Sequence, residues 1–384
     1  MDIICLSTVD WNALWQRHQQ LMWRLSERHR VLFVEPSKNI LSAMLSPHVV
    51  FRWLKGPRRI RDRLFLYTPP PSVLLRSAAR WWNRAAYSLL GYLVNNVAQR
   101  LKFHHVVLWL TYPNAVDVVD QIQNDLVCAD CADKFSVYPG IVGKKTLDLL
   151  QKSLYTIPDV VFAVCPELVE EAQQCNPSTF LVPNGGDPEQ AKRAKRNGGE
   201  RPSGMLAVRG PVLGFVGAVY EWVDLQLIRY IACARPEWSV VLIGPIRPRR
   251  IQKDLRRFRN IYLLGRREYE DIHQYIKMFN VCLLPFRSTP HMRFADPIVT
   301  YDYLLMGKPV VCTDFPQVRR LGDLVRVEGE YGRFICAIEA GLQETGTEWV
   351  RKRRSFALAN SWDHRVRRVE QVIAERMGEQ AISH

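Results

Sequence analysis

The stretch Phe286–Pro316, FRSTPHMRFADPIVTYDYLLMGKPVVCTDFP, decides the fold of this 384-residue chain. It has the pattern of a strand end, a polar loop, an amphipathic helix that stops at a glycine, and a second buried strand. That order is typical of a βαβ crossover. Asp296 and Pro297 suit an N-cap and the first helical position. The helix N-terminus is therefore predicted to face the carboxyl ends of both strands.

The start of this helix is also a predicted binding site. Unpaired backbone N–H groups and the helix dipole attract anions such as phosphate. Asp302 lies about one and a half turns further along the helix, and a carboxylate there can accept two hydrogen bonds from a ribose diol. A diphosphate beside a ribose indicates a nucleotide.

The segment from Asp296 to Val311 resembles the donor-binding segment of GT-B nucleotide-sugar glycosyltransferases. In that family a glutamate at the position of Asp302 holds the ribose. The family also has a lysine where this chain has Val299 and an acidic residue where it has Phe294. The resemblance implies that Asp302 keeps the ribose role and that Arg293 supplies the missing cation. The two departures leave retaining chemistry open and favour inversion.

The resemblance extends over nearly the whole chain and implies a set of donor contacts. Gly217 follows a buried strand, and a glycine there lets the backbone approach a diphosphate closely. Arg266 follows the glycine of a later strand, in a position that lies beside the nucleotide base in the family. The implied donor-binding residues are Gly217, Arg266, Arg293, Pro297, Thr300, Tyr301 and Asp302. No metal or other cofactor is expected, because helix dipoles and side-chain cations can stabilise a leaving diphosphate.

The length and the alternation of strands and helices predict two α/β domains. Residues 1–187 are predicted to form an N-terminal Rossmann-like acceptor domain, and 188–205, rich in Lys, Arg, Glu and Gly, a flexible linker. The resemblance implies that residues 206–361 form the nucleotide-sugar donor domain and that 362–384 form a helix that crosses back to the first domain. The predicted fold class is thus α/β, and the resemblance implies two doubly wound domains facing a cleft in the GT-B arrangement.

Three residues of the first domain are candidates for chemistry. Arg17 lies in a segment that resembles glycosyltransferases of teichuronic acid type, which implies a contact with a donor or acceptor phosphate; an exposed arginine is the alternative. An inverting transferase needs a base for the acceptor hydroxyl. Asp130 and Asp133 lie at the end of a predicted strand, where a resemblance to glucuronosyl-type GT-B enzymes implies the base, and Asp133 is preferred as the more exposed. Either aspartate can instead cap a turn, and His291 is a weaker candidate base.

The net charge of +15 is unevenly distributed. Twelve Lys or Arg residues and one acid lie between Lys38 and His104, interleaved with Phe51, Trp53, Trp81 and Trp82. This mixture suits an anionic membrane surface, although a solvated basic surface fits equally well. Nucleic acid is not expected as a partner, because no recognisable nucleic-acid motif accompanies the charge.

The location is predicted to be cytoplasmic, with peripheral attachment to the inner membrane face as the finer expectation. No apolar run approaches the ~20 residues of a spanning helix, and the N-terminus does not have the pattern of a signal peptide. Nine cysteines at irregular spacing suit a reducing compartment.

The resemblance therefore implies a glycosyltransferase that moves a sugar from a nucleoside diphosphate sugar to a lipid-linked or polysaccharide acceptor in bacterial surface glycan synthesis. Two alternatives stay open. One is a nucleotide-sugar 2-epimerase of the same architecture. The other is a nucleotide-sugar-binding pseudoenzyme, which Val299 and Phe294 favour. The base, the sugar, the acceptor, the linkage and the oligomeric state are not specified.

Overall fold

The computed structural model describes residues 1–38, 52–71, 80–138, 143–196 and 201–382, with the side chains at 80–83 and 379–382 left out. The predicted basic segment therefore lies partly outside the described residues, and Phe51 and the side chains of Trp81 and Trp82 are among the parts left out. The chain divides into two compact units, one of Met1–Pro183 with Arg365–His384 and the other of Asn184–His364.

The first unit is built on a sheet of eight strands. They are β1 (Asp2–Leu6), β2 (Arg30–Val34), β3 (Arg58–Arg61), β4 (Leu64–Tyr67), β5 (Val106–Leu110), β6 (Leu126–Cys131), β7 (Val160–Ala163) and β8 (Thr179–Leu181). Their spatial order is β3-β4-β2-β1-β5-β6-β7-β8, and only the β3–β4 pair is antiparallel. The parallel strands are continuous apolar runs because helices cover both faces of such a sheet.

Helices complete the first unit. They are α1 (Arg17–Leu25), α2 (Arg80–Arg100), α3 (Lys144–Thr156), α4 (Pro166–Gln173) and α13 (Trp362–Ile382), with 3-10 helices at Pro113–Gln121 and Phe135–Val137. From Arg365 onward α13 belongs to this unit. Its Glu370 lies 2.9 Å from Nη1 of Arg28 and 3.0 Å from Nε2 of His29. These two contacts thus hold α13 beside the start of β2.

The second unit has a fully parallel sheet of six strands. They are β9 (Val212–Val216), β10 (Ser239–Ile243), β11 (Ile261–Gly265), β12 (Val281–Leu284), β13 (Val310–Cys312) and β14 (Arg326–Val327). The spatial order is β11-β10-β9-β12-β13-β14. This is the 3-2-1-4-5-6 order of a dinucleotide-binding fold, in which the direction of winding reverses between the first and fourth strands. The predicted βαβ crossover is formed by β12, the helix Ile298–Leu305 and β13.

The helices of the second unit cover both faces of this sheet. They are α5 (Pro188–Arg196), α6 (Leu225–Ala234), α7 (Arg249–Leu255), α8 (Tyr269–Met278), α9 (Ile298–Leu305), α10 (Pro316–Arg319), α11 (Tyr331–Leu342) and α12 (Thr347–Ala359), with 3-10 helices at Ser203–Met205, Pro290–Arg293 and Gly322–Leu324. They bury one continuous apolar core around the strands.

The predicted linker is wrong over its first half, because α5 is a helix of the second unit. Asp187 accepts hydrogen bonds from the backbone N–H groups of Glu189 and Gln190, as an N-cap residue does. Ala191 and Ala194 are buried in the core of that unit. The many charged residues that suggested a flexible segment form the exposed face of a short amphipathic helix.

Candidate functional site

The second sheet places the start of α9 beside the point where the strand order reverses. In open parallel sheets, ligands bind at this point, outside the carboxyl ends of the strands. α9 follows β12, and the backbone N–H of Val216, at the end of β9, donates to the Tyr303 hydroxyl at 2.8 Å. Tyr303 is fully buried. This hydrogen bond fixes the helix against the end of the neighbouring strand.

Two glycine turns lie at the same edge of the sheet. Gly217 follows β9 with φ +152° and donates its N–H to the Ile243 carbonyl at 2.8 Å. Gly244 follows β10 with φ +137°, and a Cβ atom there would lie 2.1 Å from the Gly217 carbonyl oxygen. Both turns therefore depend on glycine, because the two backbone segments approach each other closely.

Asp296 does not cap α9, which corrects the sequence prediction. Pro297 occupies the N-cap position, and no side chain caps the helix there. The Asp296 carboxylate instead accepts from the Asn184 backbone N–H at 2.7 Å and from the Tyr301 hydroxyl at 3.2 Å. The side-chain amide of Asn184 donates a hydrogen bond to the backbone carbonyl of Asp296. Asn184 and Asp296 are far apart in sequence, so the local pattern could not show this competing use of the carboxylate.

Asp302 lies inside α9 and is 4% exposed. Its Oδ1 atom is 3.2 Å from Nε2 of His273 on α8, but the two atoms do not make a hydrogen bond. Within the described residues, Asp302 Oδ1, both ring nitrogens of His273 and Thr300 Oγ1 have no hydrogen-bond partner. Buried polar atoms normally have one. This cluster can therefore exchange hydrogen bonds with a ligand that carries hydroxyl groups.

His273 was not identified from the sequence. It is fully buried, and the Tyr269 ring meets its ring edge-on with centroids 6.4 Å apart. The Tyr269 hydroxyl donates to Asp187 at 3.1 Å. A lone histidine in an amphipathic helix is no signal by itself, and only the packing of α8 beside α9 brings it to Asp302.

The two predicted donor-binding cations lie on the surface of the second unit. Arg266 follows β11 and is exposed. Arg293 is also exposed, and its guanidinium lies 5.7 Å from the centre of the Phe294 ring. Phe294 is buried, and Val299 packs against the core. The positions where the family has an acid and a lysine are therefore filled by packed apolar side chains in this protein.

In the first unit, Arg17 and Asp130 form a buried ion pair. Arg17 Nε lies 2.7 Å from Asp130 Oδ1, and Nη1 donates to the Pro183 carbonyl at 3.3 Å. Arg17 is 2% exposed and Asp130 is fully buried. The structure thus places the two candidates in one buried ion pair, and their roles towards a phosphate and an acceptor stay predictions.

Asp133 has a different environment just beyond the end of β6. It is partly buried, and the Tyr138 hydroxyl donates to its Oδ1 atom at 2.8 Å. Burial raises the pKa of this carboxyl from its ordinary value near 3.8 to about 6, against the opposing effect of the Tyr138 hydrogen bond. A general base works best when its pKa lies close to the working pH. Asp133 therefore remains the predicted proton acceptor.

A second titratable group, His18, lies near the carboxyl end of β1. Its Nδ1 atom is 3.2 Å from the Ser7 hydroxyl, which in turn contacts the Val9 carbonyl at 3.0 Å. Burial lowers the pKa of His18 to about 4, so the imidazole is neutral near pH 7. Sequence reasoning singled out the neighbouring Arg17 and missed His18, since only the folded loop brings it to Ser7.

Solved structures of other proteins share this fold. A sucrose-phosphate synthase from Thermosynechococcus elongatus superposes with a TM-score of 0.71 over 99% of this chain and 100% of that chain, at 14% identity. Anabaena Alr3699/HepE, solved in complex with UDP and glucose, superposes with a TM-score of 0.67 over 97% and 99%, also at 14% identity. The chain therefore has the GT-B fold.

The sequence comparisons identify the second unit more closely. Residues 210–342 match the family of glycosyl transferases group 1. A putative teichuronic acid biosynthesis glycosyltransferase, TuaH of Bacillus subtilis (strain 168), is 27% identical over 161 residues, which are 40% of this chain and 41% of that protein. The match thus spans about two-fifths of the length of that relative. The second unit carries a glycosyl transferases group 1 domain.

The described residues contain neither the side-chain grouping of a metal site nor the long apolar helix of a membrane span. No group of three or more His, Cys, Asp or Glu side chains within those ranges is arranged to hold a metal ion. No helix in the same part of the chain has both the length and the apolar character needed to cross a bilayer.

Proposed function

We propose that this protein transfers a sugar from a nucleoside diphosphate sugar to an acceptor hydroxyl. The observation that carries the proposal is the group 1 glycosyl transferases domain at residues 210–342, which contains both α8 and α9. The buried polar atoms of Thr300, Asp302 and His273 that have no partner in the described structure lie in these two helices. The presence of UDP and glucose in the Anabaena relative supports a nucleoside diphosphate donor.

In this proposal the donor binds at the start of α9. The backbone N–H groups of the first turn and the helix dipole favour the diphosphate. Asp302 accepts hydrogen bonds from the ribose diol, with His273 beside it. Exposed Arg266 and Arg293 supply positive charge to the leaving diphosphate. A bound metal is not part of the mechanism, because fixed donors and cations can stabilise a developing anion.

The first unit supplies the acceptor side of the proposed reaction. Asp133 takes the proton from the acceptor hydroxyl as that oxygen attacks the anomeric carbon, and the bond from this carbon to the diphosphate breaks. A single displacement of this kind inverts the configuration at the anomeric carbon. We propose a lipid-linked or polysaccharide acceptor in surface glycan synthesis, which the TuaH relative supports.

The finer location that we propose is cytoplasmic and peripheral to an anionic membrane. The described part of the basic segment supports this, because Arg58 and Arg59 are exposed in β3, and Trp53 and Leu54 are 36% and 66% exposed just before it. Cations and aromatic rings of this kind suit the headgroup layer.

The proposal is tested by thermal unfolding of the full chain with a panel of nucleoside diphosphates and their sugars. A ligand that binds the folded state stabilises it by about 2.7 kcal/mol at a hundred times its Kd. We expect the ligands of one nucleobase to raise the melting temperature clearly. The Asp302→Ala variant should bind that ligand about 10- to 150-fold more weakly, since a hydrogen bond to a charged group contributes about 1.5–3 kcal/mol.

Asp323→Ala is the matched control, because Asp323 is an exposed carboxylate of the same unit and should leave affinity unchanged. Stabilisation by none of the ligands would refute the donor site. Binding without any transfer or hydrolysis of a donor would instead indicate a pseudoenzyme, the alternative that the apolar Phe294 and Val299 favour. Release of an epimerised sugar without an acceptor would indicate the epimerase.

A further inference from the structure

The first unit contains a cavity of about 370 Å³ at the carboxyl edge of its sheet. Small-ligand sites have volumes of roughly 300–1,000 Å³. The cavity is bounded by Pro36 after β2, by Pro69–Pro71 after β4 and by Tyr112 after β5. The cavity therefore lies near the point between β1 and β5 where the direction of winding reverses. Ligands occupy this position in open α/β sheets.

The wall formed by α2 is largely apolar, with one hydroxyl group, that of Tyr87. Ala86, Leu90 and Leu93 line the cavity from this helix, and the proline segment Pro69–Pro71 lines it as well. Leucine side chains offer no hydrogen bonds, and proline has no backbone N–H. A sugar ring in contact with this wall would lose its hydration without compensation. The wall is therefore suited to a hydrocarbon chain.

The cavity also has polar lining residues, and part of its lining is close to the proposed base. Ser7, Thr8 and Asn114 line it just after β1 and β5. Phe135 also lines the cavity, and it follows Asp133 by two residues, so their Cα atoms are at most about 7 Å apart. A molecule with a polar head and an apolar tail fits this mixture of lining residues.

The apolar lining continues to the surface of α2. Leu89 lines the cavity and is nevertheless 59% exposed. Tyr92, three residues later and therefore on the same side of the helix, is also 59% exposed. A chain longer than the cavity can leave it along these two side chains.

We propose that this cavity holds the hydrocarbon tail of an amphiphilic acceptor, whose polar head lies at Ser7, Thr8 and Asn114. The ligand is an acceptor only if the proposed glycosyl transfer is correct. The cavity itself is expected to bind an amphiphile whether or not a donor is present.

The test is calorimetric binding of butyl, octyl and dodecyl phosphate to the full chain, below their aggregation concentrations and without nucleotide. Affinity should rise roughly threefold or more for each added methylene and then level off once the cavity is full. Ala86→Trp, which fills the cavity, should weaken dodecyl phosphate binding at least tenfold. Ala85→Trp is the matched control, since Ala85 is exposed on the same helix and should not change binding.

Leu93→Gln provides a second variant that makes the wall polar without filling the space, and it should also weaken binding of the long chain. Each variant is checked for folding by its unfolding curve and by nucleoside diphosphate binding in the second unit. Equal affinity for the butyl and dodecyl chains would overturn the proposal. So would a rise without a plateau that Ala86→Trp leaves intact, because that result indicates adsorption to the surface.

The outcome is independent of the proposed transfer reaction. Amphiphile binding that Ala86→Trp abolishes, in a protein that transfers no sugar, supports the cavity and refutes the enzyme. Sugar transfer without chain-length-dependent binding refutes the cavity and leaves the enzyme standing.

Discussion

The pH dependence of sugar transfer should report the ionisation of Asp133. Only the carboxylate form can accept the proton of the acceptor hydroxyl, and burial raises the pKa of this group to about 6. Lowering the pH from 7 to 5 should therefore reduce the rate about tenfold. A carboxyl with an ordinary pKa near 3.8 would lose less than about 10% of its rate over the same range. The magnitude distinguishes the two cases.

The assay is the initial rate of transfer at saturating donor, measured between pH 5 and 8 with one buffer mixture of constant ionic strength. Asp133→Asn should lower turnover ~100-fold or more and leave the donor Kd unchanged, because it removes the general base. Asp148→Asn is the control, since Asp148 is an exposed carboxylate on α3 of the same unit. Its profile should match that of the unmodified protein.

A second variant tests the physical cause of the shift. The Tyr138 hydroxyl donates to Asp133 and thereby opposes the rise in its pKa. Tyr138→Phe should move the acidic limb to still higher pH. A rate that is flat down to pH 5, or an acidic limb that persists in Asp133→Asn, would remove this carboxylate from the mechanism.

The same shift has a consequence for stability. Because the folded protein binds the proton of Asp133 more tightly than the unfolded chain does, this group disfavours folding increasingly as pH rises from about 4 to about 6. Above that range the unfavourable contribution is constant.

Two further predictions concern stability in urea. Gly244→Ala should lower the free energy of unfolding by about 2 kcal/mol or more, because its φ is +137° and the added Cβ would meet a carbonyl oxygen at 2.1 Å. Gly329→Ala is the control, since a Cβ at this position would lie in open space. Equal losses of stability in the two variants would contradict the steric argument. Arg17→Met and Asp130→Asn should each lower the free energy of unfolding by about 3–5 kcal/mol, because each leaves a buried charge unpaired. The double variant should lose clearly less than the sum of the two single losses. Strict additivity would show that the two side chains are not coupled.

The sequence predicted the architecture because the relevant signals are local. Buried strands appear as short apolar runs, and the glycine after α9 and the proline before it mark the ends of that helix. The α/β class and the GT-B fold are confirmed by the two sheets, one fully and one mostly parallel, and by the structural relatives. The composition of 188–205 suggested a flexible linker, whereas its first half is a helix. A charged amphipathic helix and a linker have similar composition.

The identity of side-chain partners was decided by tertiary structure. Asp296 is used by Asn184, far away in the chain, and so it does not cap its own helix. Arg17 and Asp130 are 113 positions apart and become buried together only when α1 packs beside β6. The sequence determined which residues carry charge and which segments are strands or helices, since these depend on composition and period. Which charges neutralise each other and which polar atoms stay available depends on contacts between distant segments, and these exist only in the folded chain.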